Sequence, residues 1–132
     1  MSKRVLSVDQ MLNLQRLDID ISSAGMCWHY PIGYKDAKWE LEIREDIINQ
    51  KRYSAFWEII PAFTLQDIID KLPCFIDTCV LTFQKLASTY TCLYMEPYSR
   101  SILVLKENKE LIDVAYDMLC WCIENGYIKK EK

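Results

Sequence analysis

The strongest helical pattern lies late in the chain, in Asn108-Lys-Glu-Leu-Ile-Asp-Val-Ala-Tyr-Asp-Met-Leu-Cys-Trp-Cys-Ile-Glu-Asn-Gly126. Leu111, Ile112, Ala115, Tyr116, Leu119 and Ile123 form one broad apolar stripe, and Val114, Met118 and Trp121 a second edge. More than half of this helix should therefore be covered. Asn108 suits the N-cap, Glu110 the first turn, and Gly126 the left-handed residue that closes a helix. Two further helices are announced by their starts. Ser7-Val-Asp-Gln10 reads as a capping box opening a helix from about Val8 to Arg16, with Val8, Met11 and Leu12 on its apolar face. Thr64-Leu-Gln-Asp67 opens another that buries Leu65, Ile68, Ile69 and Leu72 and stops before Pro73.

Between these helices the pattern shifts to period two. Met26-Cys-Trp-His-Tyr30 is rich in strand formers and ends at Pro31. Trp39, Leu41 and Ile43 alternate with Glu40, Glu42 and Arg44, which predicts a strand with one solvated face, paired with the preceding one across a longish loop. Leu17-Asp-Ile-Asp-Ile21 is either a strand or an extended exit from the first helix. Residues 45–53 are polar and weakly patterned and read as loop, with a short helix as the alternative, and 55–60 as a strand ending at Pro61. A strand is expected within 75–83, where Cys79, Leu81 and Phe83 oppose Val80, Thr82 and Gln84. Residues 89–95 and 101–106 form a hairpin around Glu96-Pro-Tyr-Ser-Arg100 and lead directly into the last helix. Short connections between late strands, with no βαβ alternation, predict an α+β fold. Its mostly antiparallel sheet carries about three helices, the C-terminal one packed on one face.

Residues 1–132 fit a single domain, large enough to bury a core without staples. A formal charge of −3 gives no basic footprint for nucleic acid, and no apolar run approaches the ~20 residues of a membrane span. The first residues, Met-Ser-Lys-Arg-Val-Leu-Ser-Val, carry the charge of a signal peptide without an apolar region behind it, so the expectation is cytoplasmic. Cys27, Cys74, Cys79, Cys92, Cys120 and Cys122 sit among apolar neighbours, form no C-x-x-C pair, and read as buried thiols. Cys120 and Cys122 diverge by about 160° on a helix and do not share a metal.

Candidate chemistry is sparse. Cys27 and the single histidine, His29, share a strand face but stand roughly 7 Å apart, too far for a direct nucleophile–base hydrogen bond. Asp18, Asp20, Glu40, Glu42, Glu45, Asp46, Asp67 and Asp70 are scattered, and Glu40 with Glu42 reads as a solvated face. There is no phosphate loop, dinucleotide fingerprint, EF-hand or H-E-x-x-H, so no catalytic, cofactor-binding or metal-binding residue is assigned and no cofactor is expected. The aromatics are more suggestive. Tyr30, Tyr34 and Trp39 cluster around the first hairpin, and Tyr94, Tyr98 and Arg100 around the second. Tyr, Trp and Arg dominate contact surfaces, which makes Tyr34, Trp39, Tyr98 and Arg100 the candidate contact residues. The same side chains also serve to complete a core edge. Lys129, Lys130 and Lys132 read as a solvated basic end.

Several segments together resemble a family of small proteins of unknown function carried by prophages and mobile elements of gut bacteria. They are Leu14-Gln-Arg-Leu17, Ser23-Ala-Gly-Met-Cys-Trp28, Pro61-Ala-Phe-Thr-Leu65 with Leu72-Pro73, and Ala115-Tyr-Asp-Met-Leu-Cys-Trp-Cys-Ile-Glu-Asn-Gly-Tyr-Ile128. The resemblance implies an origin and a fold, and brings no activity or catalytic residue with it. The leading expectation is a small accessory protein of phage or mobile-element origin that binds another macromolecule, with a protein partner or a second copy of itself. The alternative is single-stranded nucleic-acid binding on an aromatic sheet, which the acidic balance disfavours. An enzyme without a recognisable motif is third. No membrane or small-molecule partner is expected.

Overall fold

The computed structural model describes residues 3–31, 38–43 and 57–129. Within them the chain runs α1 (Val8–Arg16), β1 (Met26–Pro31), β2 (Glu40–Ile43), β3 (Trp57–Ala62), α2 (Leu65–Lys71), β4 (Phe75–Ile76), β5 (Cys79–Lys85), β6 (Tyr90–Met95), β7 (Ile102–Asn108) and α3 (Leu111–Glu124). The α+β class holds, but the strands divide into two antiparallel sheets: three strands in the order β2-β1-β3 and four in the order β4-β5-β6-β7. Tyr34 and the 45–53 segment lie outside the described residues.

Both capping boxes form. Ser7 accepts from the Gln10 N–H while the Gln10 side chain accepts from the Ser7 N–H, and Thr64 and Asp67 do the same for α2. α3 starts differently from the expectation. Its N-cap is Glu110, which makes no side-chain cap, because Asn108 is held as the last residue of β7, opposite Tyr90. Asn108 Oδ1 still accepts from the Glu110 N–H at 3.3 Å. The other end closes as expected: Gly126 has φ 80°, and Tyr127 and Gly126 donate to Cys122 and Ile123, a Schellman closure.

Two more expectations meet the structure here. Of the two readings of residues 17–21, the strand does not form; Asp18 (φ 66°) turns the chain out of α1 and tucks Ile19 and Ile21 into the core. β3 does not stop at Pro61 but runs through it to Ala62. It is an edge strand, where a missing N–H costs no ladder bond if that position faces outward.

The core lies between α3 and the inner face of the four-stranded sheet, and extends under α1 and α2. Ile112, Val114, Ala115, Met118, Leu119, Cys122 and Ile123 are buried, so the second edge of the helix is covered as fully as the first. Cys92 and Tyr94 meet it from β6, with Leu81, Phe83, Tyr90 and Val104 packed around them. Lys3–Leu6 laces this assembly to the three-stranded sheet. Leu6 is fully buried, its N–H donates to Phe63 and its carbonyl accepts from Trp28 Nε1 at 2.8 Å. Lys3 Nζ reaches Asp113 at 2.8 Å on α3 and Gln10 on α1.

Candidate functional site

The four-stranded sheet has a second face, turned away from α3. Strand alternation assigns it: Tyr94 and Cys92 point into the core, so Met95, Leu93 and Thr91 point out. The register then places Val80, Thr82 and Gln84 beside them on β5, Phe75 beyond Val80 on β4, and Ile102, Leu105 and Glu107 on β7. A register shift between Tyr94 and Met95 inserts Leu103 as an extra residue near Ile102. The face is therefore apolar at the end nearest the 96–101 turn and polar at the Gln84–Thr91–Glu107 end.

Several of its side chains stand in solvent. Phe75 is 65% exposed and Ile102 52%, with Leu103 and Leu105 also exposed. Leu93, at the centre, is 2% exposed yet lies outside the core cluster; its outward-facing neighbours shield it. Such a contiguous apolar surface on a folded chain marks an interaction site more often than chance.

The turn at its rim is built to present two of the residues expected from the sequence. Glu96 carboxylate oxygens accept from the Tyr98 N–H at 3.2 Å and the Ser99 N–H at 2.7 Å. The Ser99 side chain and these two amides hold the Glu96 carboxyl below its usual range. Arg100 takes φ 61° and donates its N–H to the Glu96 carbonyl, closing the turn. Tyr98 is left 96% exposed, and Arg100 is exposed beside it.

Trp39 is placed differently. It is half-buried, packs on the core and tilts against Tyr30 at 5.3 Å between ring centroids. The sheet aromatics Tyr90 and Tyr94 lie on the covered face, where Tyr94 is fully buried and donates to the Pro73 carbonyl at 2.7 Å. Composition alone did not reveal Phe75, Ile102, Leu103 and Leu105 as a surface. The stretch Ile102-Leu-Val-Leu105 belongs to the expected hairpin strand and is apolar at four successive positions, so only the position of α3 shows which side is left open.

The three-stranded sheet gathers the remaining candidate chemistry. His29 is buried opposite Glu40, with Nε2 3.4 Å from the Glu42 carboxylate and 3.8 Å from that of Glu40. The Glu40–Glu42 face is thus not only a solvated one; it borders a buried imidazole. Cys27 shares that face but is fully buried and closed to a substrate. Among the described residues no three His, Cys, Asp or Glu side chains are arranged to hold a metal ion. A cavity of about 210 Å³ lined by Lys3, Leu65, Tyr90, Glu110, Leu111 and Ile112 gathers none of these groups. It is also below the roughly 300 Å³ at which small-molecule sites begin.

No helix among the described residues is long and apolar enough to cross a membrane. No family model, curated protein or solved structure matches the chain.

Proposed function

We propose that the protein is a small interaction module that docks a protein partner on the open face of its four-stranded sheet. The observation that supports this is the exposed apolar surface of Phe75, Ile102, Leu103 and Leu105, rimmed by the rigidly presented Tyr98 and Arg100. Apolar centres with Tyr and Arg at the margin have the composition of binding hot spots. A complementary partner offers an apolar surface with a carboxylate for Arg100. The resemblance to proteins of prophages and mobile elements favours an accessory role inside the host cell.

Native co-purification of the wild type against a Phe75→Glu/Tyr98→Ala variant tests the reading. A partner retained by the wild type, and lost by a variant with unchanged melting temperature, is the expected result. A partner held equally by both would refute this surface. Salt-dependent retention of single-stranded oligonucleotide, with no protein partner, would replace the reading by nucleic-acid binding.

A further inference from the structure

α3 ends at Glu124, and Asn125 and Gly126 close it. Of the four asparagines in the chain only Asn125 precedes glycine; Asn13, Asn49 and Asn108 precede Leu14, Gln50 and Lys109. An asparagine amide carbon and the backbone nitrogen of the next residue are near enough along the chain to close a ring. The side chain of that next residue normally obstructs them. Glycine has none, and at Gly126 nothing lies within 4 Å of where a Cβ would stand. Asn125 and Gly126 are both exposed, so water reaches the pair.

The folded helix end holds the reacting atoms apart. Asn125 has ψ 8°, which puts the Gly126 nitrogen beside Asn125's own nitrogen and away from its Cβ. The Gly126 N–H donates to the Ile123 carbonyl at 3.2 Å, and Asn125 Nδ2 donates to the Trp121 carbonyl at 2.8 Å. Nucleophile and electrophile are thus each tied back to the last turn. Beyond them the Tyr127 N–H donates to the Cys122 carbonyl at 2.8 Å, and the Tyr127 ring stacks on Trp121 at 5.4 Å between centroids. That clasp keeps the Asn125 ψ from turning.

We propose that Asn125–Gly126 is a site of spontaneous deamidation that the helix end keeps shut, and that it reacts in molecules whose last turn has opened. The Gly126 nitrogen gives up its proton and attacks Asn125 Cγ. The N–Cγ bond forms, the Cγ–Nδ2 bond breaks, and the proton leaves with Nδ2 as ammonia. Water then opens the cyclic imide. Cleavage of the N–Cγ bond gives aspartate, and cleavage of the peptide bond between residues 125 and 126 gives isoaspartate, with the chain running through the side chain. One water enters, one ammonia leaves, and nothing is oxidised or reduced. Aspartate weakens the end: it lacks the Nδ2 donor and sets a negative charge at the negative end of the helix, next to Glu124. Isoaspartate breaks it, because an extra methylene in the backbone takes the Gly126 and Tyr127 amides out of register with Ile123 and Cys122. The change runs one way, and it releases Tyr127 from Trp121 and Ile128 from the edge of the core.

Peptide mapping by mass spectrometry, with fragmentation that separates isoaspartate from aspartate, measures the rate in the folded chain and in the same chain in urea. Both are held at one mildly alkaline pH and one temperature. Modification at Asn125 should be about tenfold slower in the folded chain, because the closing bonds must break first. In urea Asn13, Asn49 and Asn108 should react far more slowly than Asn125. Tyr127→Ala removes the stack and leaves every atom of the reacting pair. It should speed the folded-state reaction roughly threefold and leave the rate in urea unchanged. Purified isoaspartate-containing chain should lose amide-exchange protection at Gly126 and Tyr127 by about tenfold, with β5 and β6 still protected. A folded chain that deamidates as fast as the unfolded one overturns the proposal, as does an Asn125 inert in urea. Unchanged folded-state rates in Tyr127→Ala, or unchanged protection after modification, would equally refute it.

Discussion

The six thiols are chemically unequal, although their surroundings in the sequence look alike. Cys74 is exposed, whereas Cys27, Cys92 and Cys122 are buried. Burial, with a smaller contribution from Cys122, pushes Cys92 up to about 12 from an ordinary 9.0; burial pushes Cys122 up to about 11. Thiolate is the reactive species, so a maleimide reagent should modify Cys74 first and leave Cys27, Cys92 and Cys122 until the chain unfolds. Mass spectrometry of partly labelled protein checks this, and early labelling at Cys92 would contradict the packing. The same shifts set an alkaline limit. Below about pH 9 both states hold these protons; above it the unfolded chain releases them while the folded chain retains them to about 11 or 12. Stability should therefore fall as pH rises through this window, by up to about 1.4 kcal/mol per pH unit for each thiol. Burial of Tyr94, helped by Cys122, raises its phenol in the same direction. Urea midpoints at pH 8 and about pH 10 measure the fall, and Cys92→Ala should shrink it.

At the scale of elements, what was legible depended on how locally each signal was satisfied. Ser7–Gln10 and Thr64–Asp67 are closed within four consecutive residues, and both boxes form as read. Thr64→Ala should cost about 1 kcal/mol in thermal or chemical unfolding, since the Asp67 N–H loses the hydroxyl that accepts from it. Asn108 had the same local qualification but is claimed by a long-range partner, Tyr90 across the sheet, so the helix start moved to Glu110. Pro61 likewise reads as a stop, until pairing with β1 shows it on an edge strand. The contact surface was half legible for the same reason. Tyr98 and Arg100 stand on a turn that its own residues close, but the open side of β7 is defined by where α3 lies. Tyr94 marks the covered side: Tyr94→Phe should destabilise by about 1–2 kcal/mol by leaving the Pro73 carbonyl without its donor.

Across the whole molecule, the two sheets are unequal in what holds them. The four-stranded sheet has α3 laid on its inner face, with seven buried helix residues packed against it. The three-stranded sheet depends more on the N-terminal segment, through the Leu6 bonds to Phe63 and Trp28, the Val5–Thr64 bridge and Met11 beneath Phe63. Lys3 then fastens that segment to Asp113 on α3. Leu6→Ala should cost about 2–5 kcal/mol, as expected for a fully buried leucine, and the loss should not be uniform. Amide exchange is the discriminating measurement, because it reads opening strand by strand. Protection of β1 and β3 should drop further than that of β5, β6 and β7, since the latter retain their helix. Lys3→Ala should narrow the coupling with a much smaller loss, of roughly 1 kcal/mol or less, because the ion pair it removes is partly exposed. Equal loss of protection in both sheets after Leu6→Ala would show that the segment stabilises one cooperative core and does not act as the strap between two unequal halves.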